Sequence, residues 1–357
     1  DEYKKENSVI QVETGIYRRR IAVRRLHDTY LLRFTSYISN THGEQSLATF
    51  ANLAHLGNLK IELGQTAILA GIIPETAYSD SDIDQQKKPD IDQQKKPDID
   101  QQKEENIRAI AGECLMQYFG RSKDINIDQI IVNSFLDSPF CIYVETLPSQ
   151  IPGDEKISKD AEEFGIKSLH LTAVFLYKDA DTEKNANKFY NLLQDLMLSY
   201  HKIYFFYSQS RVLKYFLSKE YENIERETEN YAQQPDWDKT KLKQLPQKSL
   251  EYYKKISFLS DQANTIDINL RIYRDCMREI ELQLKQKLPD FFAEQAQDAE
   301  YYLNQIQTNI KFLTPGINFY DRLMVSVQTQ VSIDDEALQT QQNEQQQKLG
   351  QLLTGSC

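Results

Sequence analysis

The spacing of hydrophobic positions changes character about half-way along the chain. From about Ser8 to Lys178 they fall in short β-branched and aromatic runs. "IYRRRIAVRRL", "TYLLRFTSYI" and "NLKIEL" are β-permissive mixtures bounded by polar or Gly-containing stretches. "AILAGII" is strand-like, and "QIIVNSFL", "FCIYVETL" and "LHLTAVFLYK" predict strands most clearly, being rich in Val, Ile, Phe and Tyr. Two segments have helical spacing. "GEQSLATFANLAHLG" carries Leu47, Phe50, Leu53 and Leu56 at steps of three, and "EENIRAIAGECLMQYFG" carries Ile107, Ile110, Leu115 and Tyr118; each ends on a Gly.

Beyond Thr182 the period is helical throughout. No Pro or Gly interrupts Thr182 to Gln233, and Leu193, Leu196, Tyr200, Tyr204, Tyr207, Arg211 and Tyr215 recur at steps of three and four. One unbroken helix over that stretch would be roughly 75 Å long. Pro235, Pro246 and Pro289 are expected to punctuate the helices after it, and "FLTPGINF" (Phe312 to Phe319) to form a sharp helix–helix corner. A last helix is expected from about Ile317 towards Leu353. The fold class predicted is α+β, with a mixed α/β domain over residues 1–181 followed by an elongated helical bundle or stalk over 182–357.

An eight-residue unit, Asp-Ile-Asp-Gln-Gln-Lys-Lys-Pro, begins at Asp82, repeats once in full and starts a third time. Each unit is electrically neutral, and its single apolar residue recurs every eight positions, which suits neither helix nor strand. Pro89 and Pro97 oppose helix, and the Gly turn and terminal Glu of a calcium loop are missing. Residues 79–103 therefore predict a disordered, solvated insertion serving as a spacer, since loop closure grows costlier only logarithmically with length.

Composition narrows the chemistry. The formal charge of −11 argues against nucleic acid as a partner, because phosphate binding needs a positive footprint. With 12 Gly in 357 residues there is no phosphate-binding Gly-rich loop of either common pattern. Cys114, Cys141, Cys276 and Cys357 form no C-x-x-C pair and have no His at zinc-ligand spacing, which fits free thiols in a reducing compartment. His27, His42, His55, His170 and His201 include no H-E-x-x-H, G-x-S-x-G is absent, and structural hydrogen-bonded roles are expected for the histidines. No catalytic constellation and no cofactor site emerge. "DEYKKENSVI" is not a signal peptide, and no apolar run is long enough to span a bilayer, so a cytoplasmic location is expected.

Three features remain as candidate surfaces. Arg18, Arg19, Arg20, Arg24 and Arg25 form a compact positive cluster. It would either meet an anionic ligand, an acidic helix of a partner or anionic lipid, or pair with the chain's own "EYENIERETEN" from Glu220. The stripe "LSYHKIYFFYSQSRVLKYFL" reads as core, not as a ligand platform. The final helix carries Tyr320, Met324, Val327, Val331, Leu338, Leu349 and Leu352 in a four-three rhythm, with Asp334, Gln342 and Gln345 among them. Tyr320, Met324, Val327 and Val331 are its candidate packing or oligomer seam. Such a helix either leaves the packed body and frays, or hands the chain to a further element.

A small α/β domain followed by long charged helices, the last at the C-terminus, resembles the cytoplasmic part of the CorA-type divalent-cation channels. Thr182 to about Leu353 would correspond to the helical part and stalk. The family's Gly-Met-Asn signature does not occur, and "GINF" at Gly316 to Phe319 precedes the last helix. The resemblance implies a non-enzymatic cytosolic region at the inner face of a membrane. It further implies self-association, membrane spans after Cys357 and a part in ion transport or gating. A soluble helical interaction scaffold is the alternative. So is an enzyme with an unrecognised site, to be sought first near Arg18 to Arg25 and His170.

Overall fold

The computed structural model describes residues 6–14, 17–26, 29–38, 64–72, 96–119, 125–148, 165–233 and 239–354, with side chains over 65–72, 101–119, 125–147, 165–233 and 244–348. The chain divides into two compact units, Asp1–Asn52 and Leu53–Cys357. In the first, strands β1 (Glu6–Thr14), β2 (Tyr17–Leu26) and β3 (Thr29–Ile38) form an antiparallel sheet with β2 in the middle. β1 carries an irregularity between Glu6 and Ser8. The expected strand "NLKIEL" and helix "GEQSLATFANLAHLG" lie outside the described residues.

Among the described residues, the second unit contains β4 (Gly64–Ile72), α1 (Lys96–Phe119), β5 (Ile131–Phe135), β6 (Ser138–Pro148) and β7 (Lys167–Tyr177). The sheet order is β4-β7-β6-β5, with β4 parallel to β7 and the rest antiparallel. Central β7 is buried except at Lys167 and His170, as its near-continuous apolar run requires when both faces are covered. Leu169, Leu171, Ala173, Phe175 and Tyr177 meet the helical core on one face. α1 packs against β5, β6 and β7 on the other, with Phe119 edge-on to Tyr143 at 6.2 Å.

The β5–β6 reversal places Leu136 and Asp137 at φ 55, the left-handed pair of a tight hairpin turn. Leu136 is a poor residue for that conformation, and its side chain offsets the strain by packing on the core. α1 begins at Lys96, inside the repeat region expected to be loop. Pro97 falls in the first turn, where an amide N–H has no helical acceptor to lose, so here proline starts the helix instead of opposing it. The first copy and residues 90–95 of the second lie outside the described residues.

The helical part comprises α2 (Ala180–Asn187), α3 (Tyr190–Gln233), α4 (Lys239–Leu284), α5 (Asp290–Leu313) and α6 (Pro315–Thr354). Asp179 caps α2, its carboxylate accepting the Thr182 N–H at 2.7 Å. The expected unbroken rod divides at Lys188. Its N–H turns to Asn185 and Ala186, and Phe189 drops into the core with its carbonyl accepting from Leu193 at 2.9 Å. Burial of one aromatic makes the break without Pro or Gly.

Pro246 does not punctuate; it lies inside α4. Leu245 beside it is 1% exposed, and packing of the whole helix outweighs a proline cost of about 3 kcal/mol. Pro289 does precede α5.

α3 and α4 are antiparallel. Glu220 pairs with Lys255, and Glu227, seven residues on, pairs with Lys248, seven residues back. The aromatic stripe is core in part: Tyr200 is buried, while Tyr204 and Tyr207 are half-buried against Tyr302 of α5. Tyr207 stacks on Tyr302 with centroids 3.9 Å apart. Phe292 seats the start of α5 on the sheet, parallel to Phe140 at 5.8 Å and 1% exposed. Tyr273, fully buried, places its hydroxyl 3.0 Å from the Phe292 carbonyl and 2.8 Å from Gln295 Oε1.

Phe292→Ala should therefore lower stability by about 3–5 kcal/mol, read as a drop in the urea midpoint with unchanged slope. A loss below about 1 kcal/mol would mean that α5 does not depend on this contact.

Candidate functional site

The feature that least resembles an ordinary globular core is α6, 40 residues long. Gly316, Tyr320, Leu323 and Val327 are buried against the body, and Ile317, Phe319 and Met324 are half-buried beside them. From Val331 to Lys348 every residue is exposed. Of the expected seam, Tyr320, Met324 and Val327 thus pack within their own chain, while Val331 is 43% exposed. Leu323, at 1%, is the anchor the rhythm missed, although it sits three after Tyr320 and four before Val327. The same helical face runs outward through Val331, Asp334 and Leu338. Leu338 is 54% exposed.

The root of α6 has an unusual backbone. Thr314 keeps right-handed helical dihedrals and donates to the Ile310 carbonyl at 2.9 Å, so α5 passes into α6 through a kink. The helix–helix junction expected in "FLTPGINF" falls at Thr314, the single residue between α5 and α6. Ile317 N–H, which an unbroken α-helix would aim at Leu313, donates to Thr314 at 3.0 Å. The Leu313 carbonyl accepts instead from the buried Tyr252 hydroxyl of α4 at 2.6 Å. Gly316 makes that approach feasible: a Cβ there would stand 2.4 Å from the Tyr252 oxygen and 2.7 Å from its ring.

Tyr320 lies one turn further, its ring centroid 5.6 Å from that of Tyr252. Burial, with Glu220, Glu227 and Glu251 nearby, pushes the Tyr320 phenol up to about 12. Tyr231 adds a contact from α3, its hydroxyl donating to the Ser326 carbonyl at 3.3 Å.

A second polar knot ties α3 to the sheet. His201 is buried, with Nε2 2.6 Å from Thr66 Oγ1 of β4. Its Nδ1 is buried without a hydrogen-bond partner among the described residues. Desolvation, with a smaller contribution from His170, lowers its pKa to about 3, so the ring is neutral. Ser208 caps the start of β7 by accepting the Lys167 N–H at 2.7 Å. Edge strand β4 is thereby held to α3 by a residue that titrates in the unfolded chain.

The other candidates lie on separate elements. Arg18, Arg19, Arg20, Arg24 and Arg25 lie on β2, Arg18 in register with Glu13 and Arg24 with Glu6; their side chains are outside the described ones. In "EYENIERETEN", Glu220 and Glu227 already face lysines of α4. Burial pushes the thiols of Cys114 and Cys141 up to about 12, so neither is a thiolate nucleophile at neutral pH. Among the described residues no three of His, Cys, Asp and Glu converge on a metal position. A shallow groove of about 310 Å³ at the end of α4 is lined by Arg278, Glu281, Leu282, Lys285, Gln286 and Lys287. Glu281 is engaged there by the Leu288 N–H at 3.0 Å. No described helix is long and apolar enough to cross a membrane. Compared with known proteins, the chain matches no family model, no curated protein and no solved structure.

The His201 knot gives a signed pH dependence. A group kept neutral when folded, but protonated below about 6.5 when unfolded, withdraws stability as pH falls from there towards its folded value. His201→Asn removes that titration. The stability gap between wild type and variant should be widest near pH 8 and narrow progressively at pH 6 and 5, by urea unfolding. A gap that stays constant over this range would contradict the assignment.

Proposed function

We propose that this protein is a non-enzymatic helical connector: the cytoplasmic portion, at the inner face of a membrane, of an anchored and self-associating CorA-like protein with a part in ion transport or gating. The observation that carries the proposal is α6, which is packed as far as Val327 and then continues with no described neighbour over the span in which every residue is exposed. Isolated helices are marginal in water, and most helical stability comes from packing of one face. An arm of this length is therefore incomplete by itself, and its outward face repeats the rhythm that the root uses for packing. Val331, Ile333 and Leu338 are its exposed apolar residues. The layout that supports the CorA-like reading is a sheet-containing part followed by long helices, the last exposed from Val331 to Lys348.

A soluble interaction scaffold is the second reading. It is favoured by Leu250, Tyr253, Ile268 and Leu282, all more than half exposed along the outward side of α4.

The connector predicts that the full chain self-associates with rising concentration, while a chain ending at Gln330 stays monomeric and folded, by light scattering and circular dichroism. A strict monomer at the highest attainable concentration contradicts the self-association. In cells, the natural gene product should remain with membranes after a high-pH carbonate wash; complete release would favour the scaffold.

A further inference from the structure

We propose that the Tyr252 hydroxyl is a latch that sets how α6 leaves the body, by holding the Leu313 carbonyl away from the helical ladder. The geometry rests on Leu313, Thr314, Pro315 and Ile317 at the junction and on Tyr252 against them. Pro315 supplies no N–H to the carbonyl four residues back, and its ring crowds that position, so the ladder must open at this point. Once it opens, Ile317 N–H has two acceptors within reach of small backbone changes: Thr314, which it uses at 3.0 Å, and Leu313, its α-helical partner. Leu313 is fully buried, and a buried carbonyl must be satisfied by one donor or another. Tyr252, itself fully buried, satisfies it at 2.6 Å.

Gly316 is the permissive element, since any side chain would collide with the Tyr252 ring. Because a carbonyl has two lone pairs, Tyr252 acts not by filling the Leu313 oxygen but by where it holds it, out of line with the Ile317 N–H, which bonds Thr314 instead. With the hydroxyl in place, the junction stays in its tight, three-residue form and α6 is pinned to α4. Without it, Ile317 returns to Leu313, the ladder closes, and α6 reseats at a different angle. Both arrangements leave the carbonyl satisfied, which is what makes the element two-state and not merely rigid.

Tyr320 couples the latch to the next turn of α6 through its ring contact with Tyr252. The Glu220–Lys255 pair bridges α3 and α4 in the same region. Burial raises the Tyr252 phenol above its ordinary value, so it donates throughout the physiological range and the latch is mechanical, not a pH switch. Displacement of α4 relative to α5 is the input to which it responds, and the direction of the arm is the output. From Pro315 to Gln341 the helix is about 39 Å long, so a tilt of about 10° at the root moves Gln341 by about 7 Å. That the moved object is a connector rests on the proposed function; the latch itself does not.

The test is a distance measured within one chain. Spin labels at Lys254→Cys and Gln341→Cys, on a Cys357→Ser background and diluted with unlabelled protein, report the α4-to-arm separation by pulsed electron resonance. Tyr252→Phe keeps the ring and removes the donor. Pro315→Ala restores the missing N–H and favours the closed ladder without removing any core group. Both should move the mean distance by about 5–10 Å from wild type, in the same direction, on the same lever. Tyr253→Phe, an exposed neighbour, should leave it unmoved. Wild-type distances in Tyr252→Phe overturn the latch; if that variant does not fold, wild-type distances in Pro315→Ala overturn it. Light scattering on the same samples reports self-association separately, so a failed latch and a failed connector give different results.

Discussion

The length of α3 governs the second unit. The helix has 44 residues, about 66 Å, whereas a strand of 11 residues such as β7 spans about 36 Å. Its first half is covered by the sheet, where Leu193, Leu196, Met197, Tyr200 and Ile203 join the apolar side of β7 in one core. Its second half, with Leu217 and Ile224, overruns the sheet and must be covered by something else. α4 folds back along it, α5 fills the angle at the sheet end, and the root of α6 covers the far end. The long helical body results from one apolar face that exceeds its sheet.

The same constraint explains where the polar groups are spent. His201 and Ser208 fix α3 to the sheet at positions where a helix and a twisted sheet could otherwise slide past each other. Tyr273 and Tyr252 do the equivalent between helices, each placing a buried hydroxyl on a main-chain carbonyl near an end of α5. At Leu313 tyrosine serves where a large ring is needed for packing and the end of a helix leaves a carbonyl to be satisfied.

Much of this was legible in the chain. The α+β class, the strands β2 to β7 and the helical period after Thr182 follow from residue type and spacing, because burial on one face imposes those periods directly. Pro289 marked a junction as expected, but others were not legible by the same route. Phe189 breaks a stretch with neither Pro nor Gly, Pro246 fails to break one, and Pro97 begins a helix within a repeat that looked loop-like. Each outcome was decided by burial of a neighbour or by position in the first turn, neither of which is visible in local composition. At the candidate site the rhythm identified Tyr320, Met324 and Val327. The partnership of Tyr252 with Gly316 joins residues 64 apart and could only come from the fold.

As proposed, α6 beyond Gln330 is an arm awaiting cover, not a finished surface. Amide hydrogen exchange over residues 331–348 measures this most directly, comparing the chain alone with the natural protein in its native setting. The expected result is fast exchange in the isolated chain and protection, slowed by at least tenfold, in the natural protein. Equally fast exchange in both would contradict it.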